Sequence, residues 1–125
     1  MVASRRAIPH MIAQGGGSII NTASMASLSG ALAGAAYTVS NWMYAPNGIR
    51  YNAICPGGTR TNIGETMDPA KMDAVGSART GAFNAIISAL LDPEDIANLA
   101  LFLAADESRY INGAIIPADA GWRAA

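Results

Sequence analysis

Apolar positions in this chain fall into short blocks whose period changes from one to the next. Residues 1–14 carry Val2, Ile8, Met11 and Ile12 at roughly helical spacing. That predicts the end of a helix, with Pro9 expected to break or kink it, because proline lacks the N–H an interior turn needs. Gly15, Gly16 and Gly17 follow, and Ser18, Ile19, Ile20, Asn21 and Thr22 then read as a short buried strand. A phosphate-cradling loop needs the opposite order, strand then glycines then helix N-terminus. The expected role of the triplet is therefore helix C-capping.

Residues 24–36 form a loop of small side chains, and 37–45 are a short helical candidate that Pro46, Asn47 and Gly48 terminate. A second strand is expected over 49–55, stopped by Pro56, Gly57 and Gly58. The stretch from there to Leu91 is irregular, with one or two weak helices containing Met67, Met72 and Val75. The clearest helix start follows: Asp92 as N-cap, Pro93 at the first helical position and Asp95 three residues after the cap. Ile96, Leu99, Ala100 and Leu103 obey the i, i+3, i+4, i+7 rule, and Phe102 broadens the stripe. Residues 113–116, closed by Pro117, supply a last strand. Alternating helices and strands predict an α/β fold, a parallel sheet covered by helices on both faces, in a single domain over residues 1–125.

Composition narrows the function. Eight Lys and Arg against nine Asp and Glu leave a net charge of −1, and only 14% of residues are charged while 51% are hydrophobic, which argues against disorder. Only Arg5 and Arg6 sit together among the basic residues, so no basic stripe tracks phosphates and nucleic acid is not an expected partner. Apolar runs fall far short of the ~20 residues that cross a bilayer, so no membrane association is expected. A lone cysteine, Cys55, forms no internal disulfide, and with no secretory segment in view the expected setting is the cytoplasm. The apolar half is rich in alanine, so the core is expected to be thin.

Hydrolase and metal chemistry find little support. No Gly-x-Ser-x-Gly elbow occurs, and the only histidine, His10, precedes every candidate serine. His10 has no companions at a metal-ligand spacing, so no metal site is expected. Asp92, Glu94 and Asp95 are better explained by helix capping and the helix dipole than as an acid/base pair.

What remains is an ordered set of blocks. Gly17-Ser18-Ile19-Ile20-Asn21-Thr22-Ala23-Ser24, then Ala36-Tyr37-Thr38-Val39-Ser40, then Asn47-Gly48-Ile49-Arg50-Tyr51-Asn52, and finally Phe102-Leu103-Ala104 and Ala118-Asp119-Ala120-Gly121-Trp122 together resemble the short-chain dehydrogenase/reductase family, classical type. The resemblance implies a Rossmann-like fold and NAD- or NADP-dependent interconversion of a secondary alcohol and a carbonyl in a small-molecule substrate. By position, Ser24 matches the family serine that hydrogen-bonds the substrate oxygen, and Tyr37 the tyrosine that exchanges its proton. Pro56, Gly57, Thr59 and Thr61 fall in the segment that packs near nicotinamide. As hydride reaches a carbonyl carbon, charge builds on oxygen, and a positioned phenol and hydroxyl relieve it.

Three departures from the family pattern matter. The Gly-x-x-x-Gly-x-Gly turn of the family's first half does not occur, so the fold is expected to be incomplete, with the N-terminal half of the nucleotide-binding unit missing. The asparagine of the family's catalytic tetrad would fall before Met1. The family's lysine, four residues after Tyr37, is Asn41, and roughly eleven residues, about three helical turns, are missing after it. A free tyrosine titrates near pH 10, so exchanging protons near neutrality needs a shift of about three units, roughly 4 kcal/mol; Asn41 brings hydrogen bonds but no charge.

The expectation is therefore the C-terminal portion of a short-chain dehydrogenase/reductase whose 125 residues are inactive alone and form homo-oligomers. The alternative is a catalytically silent fragment acting as an association module, because an exposed sheet edge and Ala-rich helix faces want a partner.

Overall fold

A computed structural model describes residues 2–25, 43–66, 68–78, 81 and 90–122. Helix α1 is Val2–Ala13. It runs on through Pro9 instead of breaking there, on a stretch where Arg5 and Pro9 are both exposed. The glycines cap α1 as expected. Gly16 N–H donates to the Met11 carbonyl at 2.8 Å and Gly15 N–H to that of Ile12 at 3.1 Å, the paired bonds of a Schellman ending. Gly15, at φ +89°, takes the left-handed turn that a side chain would resist.

Strands β1 (Gly17–Thr22), β2 (Ile49–Pro56) and β3 (Ile115–Ala118) form one sheet in the order β1-β2-β3, and both pairings are parallel. Helix α2, Pro93–Ala104, lies between β2 and β3 in the chain. Short 3-10 turns occupy Ala45–Asn47, Asn62–Thr66, Pro69–Lys71 and Asp106–Ser108, and residues 74–78 are helical. Gly48 ends the Ala45–Asn47 turn at φ +72°; most of the helix expected over 37–45 lies outside the described residues.

Successive side chains of a strand point to opposite faces, and the contacts follow that rule. Ile19, Ile49 and Tyr51 form a buried cluster with Ile8 of α1. From the other face, Ser18 Oγ donates to the Leu103 carbonyl of α2 at 2.8 Å and Arg50 Nη2 to that of Ala105 at 3.3 Å. The two helices thus sit on opposite faces, and β2 is buried between them. Ser18 and Arg50, register partners on β1 and β2, thereby satisfy carbonyls that α2 leaves open at its C-terminus.

Two expectations are corrected. The last strand does not close before Pro117 but continues to Ala118. Ala53 N–H bonds the Ala114 carbonyl and Gly57 N–H that of Ala118, each at 2.9 Å, so even-numbered residues of β3 face β2 and Pro117 lies with its ring nitrogen on the outer edge, where no donor is required. Phe102 does not extend the buried stripe of α2. It is 43% exposed and its neighbour Leu101 69%, while Leu103 is buried.

Candidate active site at the carboxyl ends of the strands

The register brings three chain segments to one edge. Thr22 is paired with Ile54, and Ala23 N–H donates to the Ile54 carbonyl at 2.8 Å, so Ser24, two residues past the end of β1, leaves from the same end of the sheet as Pro56. Pro56 is in turn paired with Ala118. Ser24 is exposed, and Met25, buried at 4%, anchors the chain behind it. In open α/β sheets ligands bind outside the carboxyl ends of the strands, which is where Ser24, Pro56 and Gly57 stand.

Gly57 is there because nothing larger fits. A Cβ at this position would lie 2.8 Å from Asp119 Cα and 2.9 Å from Asp119 Cβ, so the turn after β2 crosses directly over the turn after β3. Past it, Thr59 Oγ1 donates to the Gly57 carbonyl at 3.1 Å, and Thr59 pairs with Leu91 in an isolated parallel bridge. Arg60 N–H donates to the Leu91 carbonyl and Leu91 N–H to that of Gly58, both at 2.9 Å. Arg60 also reaches Asp92 Oδ1, with Nη2 at 2.7 Å and Nε at 2.9 Å. The long irregular stretch after β2 is therefore closed at its neck. A cavity of about 500 Å³ opens beside that neck, lined by Thr59, Arg60, Thr61, Asn62, Ile63 and Leu90.

Of the residues singled out from the sequence, the structure brings Ser24, Pro56, Gly57, Thr59 and Thr61 to this end of the sheet. Tyr37 and Asn41 lie outside the described residues. Asp92 is the N-cap of α2 as expected and shares a capping box with Asp95, whose Oδ2 accepts the Asp92 N–H at 2.9 Å; the additional pairing of its carboxylate with Arg60 was not legible in advance. Among the described residues no three His, Cys, Asp or Glu side chains gather as a metal would require, and no helix is long and apolar enough to cross a membrane.

A nicotinamide coenzyme can be tested against these residues. Hydroxyls of Thr59 and Thr61, the Asn62 amide and the apolar Ile63 and Leu90 suit an amide-bearing ring. The glycine run at Gly15, Gly16 and Gly17 does not suit a pyrophosphate. It sits at the amino ends of the strands, and its three N–H groups are taken by the carbonyls of Ile12, Met11 and Gly48. Among the described residues, those lining this cavity would suit the nicotinamide end, and the glycine run would not hold the pyrophosphate.

A parallel α/β sheet with its site at the carboxyl edge is the frame of a Rossmann-type oxidoreductase. Residues 1–123 match the family model described as enoyl-(acyl carrier protein) reductase, and the chain belongs to the short-chain dehydrogenase/reductase family. It is 41% identical to 3beta-hydroxysteroid dehydrogenase 2 of Eggerthella lenta, over 99% of this chain and 52% of that protein. It is also 41% identical to the short chain dehydrogenase adrF of Penicillium rubens, over 94% and 53%. A solved structure from Agrobacterium tumefaciens, assigned as a 2-deoxy-D-gluconate 3-dehydrogenase and holding NADP, superposes with a TM-score of 0.74 at 29% identity, covering 98% of this chain and 53% of that one. The chain therefore spans about half the length of the relatives it matches. Its alignment with the Eggerthella protein runs over 136 positions where the chain has 125 residues, so at least eleven of them face gaps in this chain.

Proposed function

We propose that this chain is the substrate-side half of an NAD- or NADP-dependent short-chain dehydrogenase/reductase acting on a small-molecule secondary alcohol or carbonyl, and that the 125 residues alone turn over no substrate. The observation that carries the reading is the common position of Ser24, Pro56 and Gly57 at the carboxyl edge of the sheet, on the side of the cavity lined by Thr59 to Ile63. In this reading the coenzyme, when bound, supplies or accepts the hydride. Ser24 Oγ donates a hydrogen bond to the substrate oxygen, and the Tyr37 phenol gives its proton to that oxygen in reduction and takes it back in oxidation. The eleven or more gap positions match in number the stretch that the resemblance implies is missing after Tyr37. Asn41 then leaves the phenol without the cation that would lower its pKa. A lone buried cysteine, Cys55, suits a reducing cytoplasm.

The test is a hybrid carrying the N-terminal half of a close relative. Such a hybrid is expected to bind coenzyme, since the pyrophosphate site lies in the added half, yet to show no turnover. Reinserting about three helical turns that begin with lysine at position 41 should restore activity, and Tyr37→Phe should abolish it again. Turnover by the unrepaired hybrid, insensitive to Tyr37→Phe, would overturn the assignment.

A second reading, the association module, is favoured by the exposed Leu101 and Phe102.

A further inference from the structure

Asparagine followed by glycine occurs twice in the chain, at Asn47-Gly48 and at Asn112-Gly113. The dipeptide carries a reaction of its own. A glycine nitrogen has no Cβ beside it to hinder approach and a backbone free to rotate, so it can reach the carbon of the preceding side-chain amide. Both glycines have positive φ, +72° at Gly48 and +79° at Gly113, so the two pairs start from similar backbone and differ in what holds them.

Tyr51 grips both reacting groups of the second pair. Its N–H donates to Asn112 Oδ1 at 2.8 Å, and its carbonyl accepts the Gly113 N–H, also at 2.8 Å. Tyr51 lies buried in β2, so freeing Asn112-Gly113 requires the turn before β3 to lift off the central strand. The first pair is held by one bond. Gly48 N–H donates to the Ala45 carbonyl at 3.0 Å, closing a three-residue 3-10 turn, and an exposed turn of this kind opens at little cost. Asn47 is exposed, and among the described residues no hydrogen bond holds its side chain.

We propose that Asn47-Gly48 is a site of spontaneous modification, where deamidation converts Asn47 to aspartate and isoaspartate while the grip of Tyr51 protects Asn112. The Gly48 nitrogen, giving up its proton to a base, attacks Asn47 Cγ. The new C–N bond closes a five-membered succinimide. The Cγ–Nδ2 bond breaks, and the amide nitrogen leaves as ammonia, taking up a proton equivalent to the one Gly48 lost. Water then opens the ring, and nothing is oxidised or reduced. Attack of water at Cγ restores the original main chain with aspartate at position 47. Attack at the main-chain carbonyl leaves isoaspartate, with the chain routed through Cγ and lengthened by a methylene. That longer chain enters β2 through Gly48, whose carbonyl accepts the Gly17 N–H at 3.2 Å and would stand 2.9 Å from a Cβ on Gly16. The change thus falls at the close approach where the pairing of β1 with β2 begins.

Peptide mapping by mass spectrometry tests this on the full chain, aged in mildly alkaline buffer made with heavy-oxygen water, beside a parallel sample in urea. In the folded chain the Asn47 peptide should take up one oxygen from solvent and split into an aspartate and an isoaspartate form. Its conversion should run about tenfold or more ahead of the Asn112 peptide, because an additional hydrogen bond and a buried strand hold the second pair. In urea, where those contacts are gone, the two peptides should convert within about twofold of each other. Asn47→Gln, whose longer side chain would have to close a six-membered ring, should suppress the reaction at position 47 and leave Asn112 as before. Equal rates at the two pairs in the folded chain, or a faster reaction at Asn112, would overturn the proposal. So would a folded chain in which Asn47 stays intact while urea lets both pairs react.

Discussion

Asn52 and Ala114 are joined at 3.0 Å, the Asn52 Oδ1 accepting the Ala114 N–H, while Asn52 Nδ2 donates to the Ile111 carbonyl at 2.9 Å. The side chain is fully buried in the middle of β2. It acts as a backbone surrogate, holding the turn before β3 at the height that pairs Ala53 with Ile115. Asn112 returns the contact, its Oδ1 accepting the Tyr51 N–H at 2.8 Å.

Asn52→Ala should therefore destabilise the chain by about 1–3 kcal/mol, because two buried backbone groups lose their partners. Urea unfolding followed by circular dichroism measures it. A loss within about 0.5 kcal/mol, the range of an ordinary surface change, would mean that β2–β3 pairing sets the turn without Asn52.

The crossing of Gly57 over Asp119 yields a contrast between two glycines. Gly57→Ala places a methyl group against backbone that cannot swing aside and should cost about 1–3 kcal/mol. At Gly81 nothing lies within 4 Å of an added Cβ, and the residue is helical, so Gly81→Ala should be neutral or stabilising by up to about 1 kcal/mol. Thermal unfolding should show Gly57→Ala lowering the midpoint and Gly81→Ala leaving it unchanged or raising it; equal losses would contradict the close crossing.

Arg60 and Asp92 are more than half exposed, at 60% and 53%. Their pairing should couple by no more than about 0.5 kcal/mol and vanish in molar salt, where the screening length is about 3 Å. A double-mutant cycle of Arg60→Gln and Asp92→Asn, run at low and high salt, gives the coupling directly, and asparagine keeps the N-cap role. Coupling that survived high salt would show the neck of the excursion to be less solvated than its geometry implies.

Much of this architecture was legible because its signals are local. Glycines after a helix predict its cap, β-branched runs predict strands, and Asp92-Pro93 with Asp95 predicts the start of α2. Pro117 misled because the edge position that tolerates a proline depends on sheet order, which no local pattern contains. Phe102 misled because helical spacing reports a stripe and not how wide a stripe the sheet can cover. The residues proposed for the site, Ser24, Pro56, Gly57, Thr59 and Thr61, come from resemblance and not from any local pattern. The Asn52 brace and the Arg60–Asp92 pair join residues 62 and 32 positions apart, and neither leaves a trace in spacing.

The central proposal, that the chain presents the nicotinamide side of a coenzyme site and, among its described residues, no pyrophosphate cradle, is tested most directly by amide NMR during titration with nicotinamide mononucleotide and with NADP. Shift changes are predicted at Ser24 and from Gly57 to Ile63, at the carboxyl edge, with weak affinity that the adenosine half of NADP does not improve. Tight, saturable NADP binding with the largest changes at Gly15, Gly16 and Gly17 would contradict it.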